Sequence, residues 1–244
     1  MNPFPYESEL LVIAILLYLY DSSVLLFSNE ALLTNTAGTR WSVVWGWTGF
    51  VLSGKSLCIL NPFTPHIPAF RLNWQFEGKD DDDTDRSWTE RAELLARLKG
   101  STLACAVGLF VFLPLGLFSP LGAYALVAAA VVIYGSTIVG LARLSRVRDR
   151  LGLAGARFAG FAFECLVCPP FSAHMLRRIA LAQRIDESLT SAACRLIDQA
   201  SWNRLRAYCE SLIDAEMQSA AENSARRAGL ETRKRQLDAM SAAR

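Results

Sequence analysis

The chain is poor in histidine and lysine. It has two histidines, His66 and His174, and four lysines against twenty-one arginines. So few imidazoles leave little room for histidine-based acid–base or metal chemistry. No Gly-rich phosphate loop, no GxSxG elbow, no HExxH helix and no paired CxxC set is present, so the usual nucleotide, hydrolase and zinc signatures are missing. No tandem repeat is visible, and transporters are commonly built from repeats. A net charge of +2 is too small to argue for nucleic acid as a partner. Arginine over lysine, with abundant alanine, suggests a GC-rich, bacterial genome.

The longest absence is one of charge. Ser101–Ala142 passes without a charged side chain, between Lys99 and Arg143. That length fits two membrane spans joined tightly, and Ser119-Pro120 supplies the turn. The reading is a hairpin of Ser101–Phe118 and Leu121–Ala142, with Pro114 as a kink site. Ala104-x3-Gly108 and Ser136-x3-Gly140 offer small residues for close helix approach, within the hairpin or between copies.

Arginines set the expected orientation. Arg143, Arg146, Arg148 and Arg150 follow the hairpin, and Arg86, Arg91, Arg97 and Lys99 precede it, so both ends read as cytoplasmic. From Arg143 onward there are 17 basic residues against 11 acidic ones. Anionic lipid headgroups are the expected partner of Arg143, Arg146, Arg148, Arg150, Arg177 and Arg178.

The first nine residues hold Glu7 and Glu9 and no basic residue, unlike a signal peptide's n-region. Leu10–Phe27 is therefore expected to be a retained span, extending as far as Leu33, with the N-terminus outside. Asp21 interrupts it. An acid at membrane depth normally faces protein or water. It reads either as an ion-handling or ligand-binding group, or as a carboxyl hydrogen-bonded to Tyr124, Tyr134, Ser136 or Thr137.

Residues 39–77 change period. Trp41, Val43, Trp45 and Trp47 alternate with Ser42, Val44, Gly46 and Thr48, and Phe70, Leu72, Trp74 and Phe76 alternate with Arg71, Asn73, Gln75 and Glu77. Period two means half-buried strands. Ser53-Gly54 marks a turn, with a strand at Leu57–Leu60, giving an antiparallel meander of about three strands that needs apolar cover. The expected cover is the membrane face and the Phe158–Cys168 segment. Between the strands lies Asn61-Pro62-Phe63-Thr64-Pro65-His66-Ile67-Pro68. Three prolines make this either a rigid recognition loop, with Pro62, Phe63, Thr64, Pro65 and His66 as binding candidates, or a crossover shaped by proline.

Asp80, Asp81, Asp82, Asp83 and Asp85 read as a solvated loop, since their spacing is not that of an EF-hand. A helix at Ser87–Leu98 leads into the hairpin. After the hairpin, Phe158–Cys168 is apolar except for Glu164, a further binding candidate. It is too short to span and reads as an interfacial or packed helix. Cys165, Cys168 and His174 are weak metal candidates, because no second ligand pair accompanies them; no metal and no cofactor is expected. The six cysteines are read as free thiols in a reducing compartment.

Beyond Phe171, Leu189, Ala193, Leu196 and Ala200, then Leu205, Tyr208, Leu212 and Ala215, follow an amphipathic helix pattern. The expected architecture is a mainly α integral membrane protein of a bacterial inner membrane with three transmembrane helices. Its parts are an N-terminal span (1–38), a small antiparallel β insert (39–77), an acidic loop and connecting helix (78–100), the hairpin (101–142), a cytoplasmic or interfacial helical region (143–221) and a polar, frayed tail (222–244). The expected role is a membrane-anchored interaction or assembly protein, non-enzymatic, that binds lipids and other proteins or a second copy of itself. The alternatives are a membrane enzyme or lipid-handling protein using Asp21, His66, Glu164 or Cys165/Cys168, and a channel or transporter subunit using Asp21.

Overall fold

The structure is a computed structural model that describes residues 7–36, 40–46, 50–74, 84–183, 185, 187–219 and 224–242. The acidic run Asp80–Asp83 and the strand positions Trp47 and Phe76 lie outside the described residues. The chain divides into two compact units. The first comprises Met1–Val24, Ile59–Ala69 and Ser87–Gln183; the second comprises Leu25–Cys58, Phe70–Arg86 and Arg184–Arg244.

The first unit is helical. It holds α1 (Glu7–Asp21), most of α2 (Thr84–Ala96), α3 (Lys99–Val107), a π-helical turn (Gly108–Phe112), α4 (Leu113–Phe118), α5 (Gly122–Val147), α6 (Gly155–Val167), α7 (Pro169–Ala173) and α8 (Met175–Ala182). Lys99–Phe118 and Gly122–Val147 are both long and apolar enough to cross a membrane, and a third or less of the apolar window in each is buried. Ser119 closes the turn between them: its hydroxyl accepts from the Leu121 N–H and its carbonyl from the Gly122 N–H.

Pro114 acts as expected of a residue without an N–H. The helix widens just before it, where the Leu113 N–H donates to the Gly108 carbonyl five residues back. Small residues let the two arms touch. A Cβ on Gly108 would lie 2.6 Å from Ile133 Cγ1, and one on Gly116 would lie 2.7 Å from Leu126 Cγ. Gly140 faces Ser101 in the same way, at 3.1 Å. Gly108 and Gly140 therefore serve packing inside one chain. Tyr18, Cys105, Leu109, Ala129, Ile133 and Ala173 form the buried apolar cluster around this contact.

The expected N-terminal span is cut short. α1 has 15 residues, about 22 Å of rise, which is less than a hydrocarbon core of about 30 Å. Ser23 then opens a strand. An unbroken apolar run does not by itself distinguish helix from buried strand. Here Ser22-Ser23 and the Ser28-Asn29 turn divide the run, and Val24 and Leu26 are buried while Ser23 and Leu25 are half-buried, a strand alternation.

The second unit carries two three-stranded sheets. One has the order β1 (Ser23–Phe27), β5 (Lys55–Ile59), β4 (Val51–Leu52); the other has the order β3 (Trp41–Trp45), β2 (Glu30–Asn35), β6 (Ala69–Asn73). β2 and β3 pair antiparallel with Leu33 opposite Val43, and β4 pairs with β5 with Leu52 opposite Lys55. That last register leaves a two-residue turn, Ser53-Gly54, with both φ values positive at 51° and 76°. Such a turn matches the twist of a hairpin and favours glycine. Phe70, Leu72 and Trp74 are buried in alternation, as their spacing predicts.

Within its own unit the second sheet has apolar cover. α9 (Leu189–Leu196) packs on β2 and β3, and α10 (Gln199–Ser219) packs on β3. Trp45 stacks on Tyr208 at 5.2 Å between ring centroids. The tail is ordered as α11 (Ser224–Ala242). Its charge hides a narrow apolar seam: Leu230 and Leu237, seven residues apart, are buried. Ion pairs Lys234–Asp214 at 2.7 Å and Arg206–Asp238 at 2.8 Å tie it to α10.

Candidate functional site

The first unit gathers most of the polar residues singled out in the sequence. Three pieces meet there: the C-terminal end of α1, the proline-rich loop 61–68, and the α7–α8 junction. Ser22 Oγ lies 3.2 Å from His174 Nε2, and Ser22 also donates to the Tyr18 carbonyl at 3.0 Å. The serine has one proton to give. The imidazole must then be the donor through Nε2, which leaves Nδ1 bare. Nδ1 is buried with no hydrogen-bond partner among the described residues. The His174 ring sits 4.2 Å from the Tyr18 ring. Burial, reinforced by the nearby Arg177 charge, pushes its pKa down to about 3, so it is neutral at physiological pH.

This serine and histidine resemble a nucleophile and its base, but both are fully buried. The groups around them hold the loop. The Ser22 carbonyl accepts from the Leu60 N–H at 3.0 Å. Tyr18 donates its hydroxyl to the Pro62 carbonyl. Arg177, only 2 % exposed, donates to the carbonyls of Asn61 at 3.0 Å and Thr64 at 2.8 Å. Within the loop, Asn61 accepts from Phe63 N–H and Thr64 N–H, and Thr64 accepts from Ile67 N–H. Pro65 and Pro68 are buried, whereas Phe63 is 89 % exposed. His66 is half-buried, and burial together with Lys99 and Arg177 lowers its pKa.

Asp21 has a partner that sequence reasoning missed. Its carboxylate lies 3.6 Å from Arg178 Nε, and Arg178 also pairs with Glu164. The Arg178 guanidinium sits 4.4 Å from the Phe171 ring centroid, a cation–π contact. The hairpin hydroxyls expected beside Asp21 are engaged elsewhere: Ser136 and Thr137 both donate to the Ile133 carbonyl. Tyr124 is 87 % exposed.

Cys165 and Cys168 lie within electrostatic reach of Asp21 and Arg178. Burial pushes the Cys165 thiol up to about 12 and raises that of the half-buried Cys168. Among the described residues, no three of His, Cys, Asp and Glu come close enough together to hold a metal ion. An open apolar groove of about 350 Å³ runs beside them, with walls from Ile13 and Leu17 of α1, Leu126 and Ala130 of α5, and Val167 and Pro170.

The arginines separate into two kinds. Arg177 is buried and bonded to carbonyls, and Arg178 is ion-paired, so neither presents a free cation to a headgroup. Arg148 lies 3.5 Å from Asp149, and Arg150 lies 3.7 Å from Glu90. Arg143 and Arg146 are exposed and, with Arg97 and Val147, line a shallow pocket of about 330 Å³. No spacing rule links Arg97 to Arg143, so the sequence showed a basic band but not this convergence.

No known protein family, curated protein or solved structure matches this chain.

Proposed function

We propose that this chain is a membrane-anchored interaction or assembly protein that recognises a protein partner through the proline-rich loop. One contrast carries the reading. Tyr18 and Arg177 hold the backbone of the loop from beneath, while Phe63 projects from it almost fully into solvent. A loop already fixed in place loses little entropy on binding, and an exposed aromatic on a rigid support is the usual form of an interface anchor. Buried polar groups that resemble catalytic ones then have a positioning role.

The anchor is the hairpin. Val127, Val131, Ile138 and Val139 on α5, and Leu103, Val107 and Val111 on the first arm, point outward, an apolar surface suited to lipid. α6 adds to it. Phe163 and Val167 are 67 % and 64 % exposed and share a face with Ala156 and Ala159, at spacings of three, four and seven residues, while Cys165 on the opposite face is buried. A helix this short, with one face packed on the chain and an apolar face left exposed, fits the edge of the bilayer better than a span. The arginines at both hairpin ends favour those ends inside and the Ser119-Pro120 turn outside.

The test is a photo-crosslinking residue at position 63 of the full chain in its native membrane. A discrete protein adduct, reduced by Arg177→Met at equal expression, is the expected result. Adducts to lipid alone would overturn the reading. Reporter fusions at Arg150 and at Ser119 check the orientation: the first should read inside and the second outside.

A further inference from the structure

We propose that Arg97, Arg143 and Arg146 form a site for the phosphate of an anionic lipid headgroup, an inference that rests on the membrane reading above. Arg97 stands in the turn between α2 and α3, two residues before the first apolar arm, and Arg143 and Arg146 stand on the last turns of the second. The hairpin brings these distant positions to one pocket of about 330 Å³, closed on one side by the buried Val147. Arg143 and Arg146, three apart on a helix, share a face. Arg143 Nη1 donates to the Arg97 carbonyl at 3.1 Å, which fixes that guanidinium across the two helix ends.

None of the three has an acidic partner among the described residues, whereas the neighbouring Arg148 and Arg150 each have one. Three like charges lining one depression repel one another, and the repulsion grows as water is displaced. An anion with several oxygens relieves it, and the planar guanidinium fork matches phosphate in particular. The source of that phosphate follows from position. The pocket lies where the charge-free stretch ends at both arms, so it falls at headgroup depth, where anionic lipid is concentrated. The bound lipid's chains then lie along the outward apolar faces of the hairpin.

The experiment titrates the purified full-length chain in detergent with phosphatidylglycerol, phosphatidylcholine or inorganic phosphate, read by native mass spectrometry. One retained phosphatidylglycerol per chain is expected, well above phosphatidylcholine. At roughly 1 kcal/mol per arginine, Arg146→Gln should weaken it about fivefold, and Arg97→Gln with Arg146→Gln about twenty-five-fold. Arg157→Gln, at an exposed position on α6, should leave it unchanged. Equal retention of phosphatidylcholine, or unchanged affinity in the double variant, would overturn the site. Inorganic phosphate binding as tightly as phosphatidylglycerol at the same arginines would assign it to a soluble phosphate compound and overturn the lipid. Carbonate extraction of the native membrane tests the underlying reading separately. A chain released into the aqueous fraction removes the membrane anchor; a chain retained in the membrane while the double variant still holds lipid removes only this site.

Discussion

Ser22 and His174 meet at 3.2 Å across 152 residues of sequence, and neither side chain reaches solvent. The pair fastens the end of α1 to the α7–α8 junction, and the Leu60 N–H bonded to the Ser22 carbonyl ties the loop to the same point. A serine beside an imidazole is here a joint between segments.

That joint makes stability depend on pH in a defined direction. His174 is held neutral, with its pKa lowered from 6.5 to about 3. Its folded pKa lies below its unfolded one, so the unfolded chain binds more protons between these values. The contribution is fully present above about pH 6.5 and is lost as the pH falls towards 3, at up to about 1.4 kcal/mol per pH unit. Thermal unfolding in detergent at neutral and mildly acid pH should show this slope, and His174→Phe should flatten it. A slope that the substitution leaves intact would place the titration on another group.

Arg177 is expected to matter for the loop more than for the bilayer. Arg177→Met removes two charge-assisted hydrogen bonds and leaves the Asn61 and Thr64 carbonyls only their donors within the loop, a loss of about 3 kcal/mol. Limited proteolysis should show new cleavage between Asn61 and Pro68 before any elsewhere. Wild-type resistance in that loop would mean the prolines alone fix it.

The hairpin contact is sensitive to single carbons. Gly108→Val and Gly116→Val each force a side chain into Ile133 or Leu126 and should cost about 1–3 kcal/mol of resistance to denaturing detergent. Gly135→Ala meets nothing within 4 Å and should be neutral or slightly stabilising. Equal effects at all three positions would argue against this helix pairing.

Cysteine reactivity should follow exposure. Cys168 and Cys194 are half-buried, while Cys58, Cys105, Cys165 and Cys209 are buried. A thiol-alkylating reagent on the folded protein should modify the first two well ahead of the rest, since burial also keeps the Cys165 and Cys209 thiols protonated. Mass-spectrometric mapping that finds Cys165 modified as fast as Cys168 would contradict the packing of α6.

What the sequence determined by itself is local. The charge-free stretch, the Ser119-Pro120 turn, the Ser53-Gly54 hairpin turn and the alternation of Phe70, Leu72 and Trp74 each follow from the period, charge or backbone freedom of a few neighbouring residues. The tertiary structure decided the rest. Residues 23–27 and 30–35 are strands rather than the end of a span, because an apolar run takes its conformation from what pairs with it. The charged tail is held as a helix by the burial of Leu230 and Leu237 and by ion pairs with α10 in both directions, Lys234 to Asp214 and Arg206 to Asp238. Asp21 is paired by Arg178, Arg177 faces loop carbonyls instead of headgroups, and Arg97 joins Arg143, since hydrogen bonds and charges act over a few ångströms in space and carry no trace in residue spacing.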